Sequence, residues 1–169
     1  TRAFAGKTRP AVRLYGTHYG HDSAEKLPEI IFHALYNSQR LPSDFELYHE
    51  SDTFPHTRFF MSGAKIKSLM TAAFAYGLDD SRFHPVQNTD NSLEDVGYAD
   101  MFKRERNRFN VLKRAVKDCS VDGCEIMYKP FEHIVSAYGK SSKRRYAWAN
   151  VTGRLGIPHT AANGKVKMV

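Results

Sequence analysis

Apolar residues in this chain recur at helical spacing, and no segment sustains the period-two alternation of a half-buried strand. The clearest stripe is Ile66, Leu69, Met70, Ala73 and Phe74. It begins after Ser62 or Gly63 and stops at Gly77, a residue suited to a helix C-cap. Ile30, Ile31, Ala34 and Leu35 form a second stripe, capped by Asp22 or Ser23, with Pro28 tolerated in the first turn. It ends before Leu41 and Pro42. A shorter helix is expected from Ser43 or Asp44 through Phe45, Leu47 and Tyr48. Further helices are expected over residues 93–106, 108–118, 124–138 and 142–155, with Asp122-Gly123 as a break. The expected fold is all-α: antiparallel helix pairs, about seven or eight helices in total, stacked side by side as helical repeats stack. Residues 1–23 read as an extended arm, 24–160 as one helical domain and 161–169 as a short basic tail.

Charge narrows the partners. The chain of 169 residues carries a net charge of +7, which favours anionic partners. The charge is a patchwork. Residues 103–117 hold seven Lys or Arg against one Glu, and residues 140–145 add four more basic residues. Residues 22–52 hold seven acids against two bases. The first 21 residues contain Arg2, Lys7, Arg9 and Arg13 and no acid, the bias of a cleaved organellar transit peptide or of the sequence just after one. A mitochondrial matrix location is therefore expected. Arg2, Lys7, Arg9 and Arg13, with Lys143, Arg144 and Arg145, make up the candidate interaction surface. No apolar run approaches the ~18–20 residues of a membrane span.

The segment FEHIVSAYGKSSKRRYAWANVTGRLGIP, residues 131–158, reads as two amphipathic helices joined by a polar turn. Phe131, Ile134 and Val135 lie on one face of the first. Tyr138, Gly139 and Lys140 end it, Ala147 supplies a small residue for helix contact, and Gly156 to Pro158 closes the unit. This pattern resembles the pentatricopeptide repeat. Residues 66–78 give a second partial echo and residues 29–41 a weaker third.

The resemblance implies a scaffold that reads one RNA base per repeat through two or three side chains. The reading positions would fall on Ser68, His133 and the neighbourhood of His159, and both histidines depart from the family's small polar or acidic preference. Protein docking is therefore favoured. Size, basic arm and degenerate repeats are similar to those of the pentatricopeptide-like extra subunits on the F1 head of mitochondrial ATP synthase in kinetoplastids and other euglenozoa. That likeness implies a non-catalytic subunit docked on the outside of the F1 α-subunit and supporting its assembly or stability. The alternative is an organellar RNA-binding or mitoribosomal protein, with the two basic clusters on phosphates.

Catalytic chemistry is not advertised. Gly139-Lys140-Ser141 lacks the first glycine of a P-loop, because Ile134 stands in that place. Cys119 and Cys124 have no second ligand pair, and His18 and His21 have no evident third partner, so no metal is expected. No hydrolase or metalloprotease signature is present. The expectation is no catalytic residue and no cofactor, with Trp148 packed between helices.

Overall fold

Glu46–Glu50, expected to be helical, is a strand. Leu47 and His49 alternate inward along it while Glu46, Tyr48 and Glu50 stay half-buried. We call it β2. The computed structural model describes residues 6, 8–14, 27–51, 61–82, 97–127 and 147–168. Ala11–Leu14 (β1) and Asp80–Arg82 (β3) flank β2, both parallel to it. Parallel neighbours need crossover connections, which helices commonly supply. Leu27–Ser38 (α1) lies between β1 and β2 in the chain, and Gly63–Ala75 (α2) between β2 and β3. Leu14 and Leu47 meet Ala34 of α1 and Ala73 of α2, so both helices cover one face of this sheet.

A second parallel sheet forms from Cys124–Ile126 (β4), His159–Thr160 (β5) and Val166–Met168 (β6), in the order β5-β4-β6. Gly97–Val116 (α3) precedes it, and Ala147–Arg154 (α4) leads into β5. The all-α expectation is thus overturned: the chain is mixed α/β, with two three-stranded parallel sheets and four helices among the described residues. The basic tail contributes β6, and part of the expected arm is β1. The strands escape a periodicity search because they run for two to five residues. Alternation needs a longer window to show.

Local signals were sound at both ends of α2 and at the close of α4, while Asp22 and Ser23, the expected caps of the first helix, lie outside the described residues. Ser62 caps α2, its hydroxyl accepting from Lys65 N at 3.2 Å. Both Gly77 (φ +81°) and Gly156 (φ +68°) sit in the left-handed region after a helix. In each case the two amides past the helix end bond back: Gly77 N and Leu78 N to Phe74 O and Ala73 O, Gly156 N and Ile157 N to Gly153 O and Thr152 O. That is a Schellman closure, which favours glycine because a Cβ is strained at positive φ. Residues 97–116, expected as two helices, are one.

α1 is the centre of the molecule. None of its described side chains is exposed. Ala34 faces the first sheet, while Phe32 and Leu35 pack with Ile126, Ala149 and Ala161 beside the second. α4 crosses α1 closely at Gly153, where a Cβ would come within 2.5 Å of the Pro28 ring. Ala147, expected at such a crossing, is exposed, and Ala149 is the buried small residue. Trp148, expected between helices, is exposed. Phe131, Ile134, Tyr138 and Gly139 lie outside the described residues. Pro158 joins α4 to β5, its carbonyl accepting from Cys124 N.

The five residues between β5 and β6 cross β4 from one edge to the other. Gly164 lies against the β4 backbone: a Cβ there would be 2.5 Å from Glu125 N and 2.8 Å from Gly123 O. Backbone atoms cannot step aside as a side-chain tip can. Gly164→Ala is therefore expected to destabilise by about 1–3 kcal/mol, read as a lower urea midpoint. An unchanged midpoint would mean that this crossing is not tightly packed.

Candidate nucleic-acid interface

The site begins with the pattern of α3. Tyr98, Met101, Phe109 and the half-buried Leu112 pack on α2, with Phe109 5.3 Å from the Phe74 ring. Tyr98 O–H donates to Met61 O at the start of this contact. These residues occupy one stripe. Directly opposite, at heptad spacing, stand Lys103, Asn107, Asn110, Arg114 and Lys117, all exposed. Arg104 and Arg106 flank that outer face, and Arg108 lies nearer the packed stripe beside Glu105; all three are exposed. A helix of this length runs about 30 Å.

Glu105 interrupts the charge without cancelling it. Its carboxylate accepts from Lys67 at 3.2 Å and from Arg108 at 3.1 Å. The Lys67 hydrogen bond above all, then the charges of Lys67, Arg108 and Arg104, hold its carboxyl below the usual range. Lys103 reaches Asp100 at 3.8 Å. The Lys103–Asp100 pair is exposed and weak, whereas Glu105 is half-buried.

The basic face ends at a cleft of about 940 Å³. The last turn of α3, the ends of α1 and α2, and the loops 116–122 and 161–165 enclose it. Lys113, Arg114, Lys117 and Lys165 line it, against Asp79 and Asp122. It lies beside the start of β3 and of β4, the amino edge of the strands. Open α/β sheets more often bind ligands at the carboxyl edge. Here the segments that follow β1 to β4 at that edge fall outside the described residues.

What the described carboxyl edge does show is a buried polar cluster. Ser51 Oγ lies 2.9 Å from His49 Nδ1 and 2.7 Å from Ser81 Oγ. A serine beside a histidine is the beginning of a nucleophile–base pair. Both are buried, Ser51 completely. His49 Nε2 has no hydrogen-bond partner among the described residues. Burial above all, with a smaller push from the His33 charge, lowers its pKa to about 4. A second buried histidine, His159, meets Thr152 Oγ1 at 3.0 Å, and burial lowers its pKa as well.

The expected interaction residues divide. Arg13 pairs with Glu50 at 3.0 Å, and Arg9 donates to Asp44 O at 3.3 Å and approaches Asp79 at 3.9 Å. Both therefore tie the first strand to the fold. Arg2, Lys7, Lys143, Arg144 and Arg145 lie outside the described residues, as does His133. Of the other base-reading positions, Ser68 is spent on Ala64 O at 3.0 Å, and His159 is buried in β5. The 103–117 cluster forms a coherent exposed surface. The cleft, including Lys165, was not foreseen, because its walls come from residues 35 to 165. Among the described residues no helix is long and apolar enough to cross a membrane, and no three His, Cys, Asp or Glu side chains gather as metal ligands. No family model, no curated protein and no solved structure matches this chain, so its reading rests on the geometry above.

Proposed function

We propose that the protein is a non-catalytic RNA-binding component of an organellar ribonucleoprotein, with α3 laid along the phosphate backbone. One observation carries this reading: the outer ridge of α3, opposite its buried stripe, holds Lys103 and Arg114 with Asn107 and Asn110 between them, and Lys117 continues it in the turn that follows. Cations neutralise phosphates, and exposed amides hydrogen-bond them or the sugars. The fold gives α3 one packed side and leaves the other free to bind. The non-catalytic part of the reading is supported by the sequence, which carries no P-loop, hydrolase or metalloprotease signature. The mitochondrial setting is supported by the basic, acid-free residues 1–21.

The test is salt. With about five phosphate contacts to a single strand, log K should fall with log salt at a slope of about −3.5, or roughly a hundredfold from about 50 to about 200 mM. Replacing Lys103, Arg104 and Arg106 by Ala should flatten that slope by about two and leave folding intact. Binding with no salt dependence, or a triple variant that binds like the parent, would remove α3 from the interface.

A second reading, the structural subunit docked on the F1 α-subunit, has one observation in its favour. Trp148, Val151 and Leu155 form an apolar stripe on the outer face of α4, with Ile157 beside it. Exposed apolar patches of this kind mark protein contacts. Of the expected helical hairpin, α4 is the second helix, and the first, over residues 131–138, lies outside the described residues. Mild affinity capture from mitochondria, with and without RNase, separates the two. F1 subunits retained after RNase and raised salt favour docking on F1, and RNase-sensitive ribosomal partners favour the RNA reading.

A further inference from the structure

We infer that the cleft at the end of α3 is a nucleotide-binding site, taking a phosphate at its basic rim and a base against its apolar wall. The volume of about 940 Å³ lies within the range of small-ligand pockets. Its charge is not self-cancelled. Asp79 is occupied by Leu47 N at 2.8 Å and lies near Arg9, and Asp122 is occupied by Gly123 N at 2.9 Å and Lys165 at 3.5 Å. Both acids thus have partners of their own. Arg114 and Lys117 have no ion pair among the described residues, and both are exposed at the mouth. Lys113 sits over the Phe74 ring at 5.3 Å, a contact a phosphate can outbid.

The apolar side supplies the other half of the ligand. Tyr76 and Val121, both half-buried, form the accessible wall, with Leu35 and Leu78, each 2% exposed, behind them. An aromatic ring beside aliphatic side chains offers a stacking surface that tolerates any base. Gln39 also lines the cleft, but its amide is spent on Thr160 Oγ1 at 2.8 Å and Ala161 N at 3.1 Å, which fixes the wall in place. An anion without a ring would leave the wall unused, and an apolar ligand without a phosphate would leave two cations unpaired.

The nucleotide comes either free from solution or as one unit of a strand lying on α3. Cys119 distinguishes these sources, because it is a free, exposed thiol in the cleft lining. The experiment follows its reaction with a disulfide reagent in a Cys124→Ser background, which removes the second thiol. The probes are adenosine 5′-monophosphate and a single-stranded oligouridylate. A filled cleft should slow the thiol about tenfold at saturation, since access controls the rate. Slowing by the mononucleotide supports the site and makes a free nucleotide sufficient. Slowing by the oligonucleotide alone supports it as a seat for a strand residue. A variant carrying Arg114→Glu and Lys117→Glu should lose the protection while keeping the parent's far-ultraviolet spectrum. Protection by neither probe, or protection that survives this variant, overturns the inference. Salt-dependent RNA binding with an unprotected Cys119 overturns the cleft and leaves α3 standing. Mononucleotide protection without RNA binding does the reverse.

Discussion

Phe32→Ala is expected to cost about 3–5 kcal/mol, the largest loss from any single side chain considered. Phe32 has no exposed surface. Its ring lies 6.3 Å from Tyr36 and 6.1 Å from His159, and its cluster includes Ile126, Ala149 and Ala161. Those neighbours belong to three elements held by hydrogen bonds of their own, so they cannot collapse into the void. Gln39 and Arg40 fix the chain at 160–161, and Asn150 donates to Glu29 at 2.6 Å. A cavity left by a ring in such a frame stays open. Chemical unfolding would measure the loss. A change below about 1 kcal/mol would show that α1 and the second sheet are not packed as described. Leu155→Ser is the control, because Leu155 is 68% exposed and its replacement should be near neutral.

The second large effect is acid sensitivity through His49. In the unfolded chain its pKa is near 6.5, and in the folded protein burial lowers it to about 4. Between these values the unfolded state holds a proton that the folded state refuses. Stability is therefore fully present above about pH 6.5 and is lost as the pH falls toward about 4, a change of roughly 3 kcal/mol. His159 acts in the same direction, because its pKa is lowered too. Carboxylates also titrate near the lower end, so the diagnostic quantity is a difference. His49→Asn keeps a polar atom near Ser51 and removes the titrating ring. Unfolding free energies of parent and variant should converge as the pH falls from 7 to 4. Parallel curves would refute the role of His49.

Where the sequence was readable, single residues carried the information. Ser62 and Gly77 bounded α2 because a hydroxyl cap and a left-handed closure each require a particular chemistry. β2 was misread because His49 occupies an inward position, so the alternation of Leu47 and His49 looked like apolar next to polar. α3 runs unbroken past the break expected between residues 106 and 108, with Glu105 in its packed stripe held by Lys67. Its basic character was legible, and its ridge of cations and asparagines needed the helix as one piece. The cleft left no local trace. Its walls are contributed by segments more than a hundred positions apart, and no residue within it has a motif of its own.

The place of α1 between two sheets governs how this chain reaches its native state. α1 is near the start of the sequence, yet its partners Asn150, Thr160 and Ala161 follow by 121 or 122 positions. During synthesis the first sheet can form while half of α1 still faces water. Only residues 126–161 close that face. Contacts so distant along the chain carry a large loop-closure cost, which slows folding relative to a bundle of local hairpins. The emerging protein therefore holds Phe32 and Leu35 uncovered until residues 126–161 have been made, and that interval is when it most needs protection from aggregation.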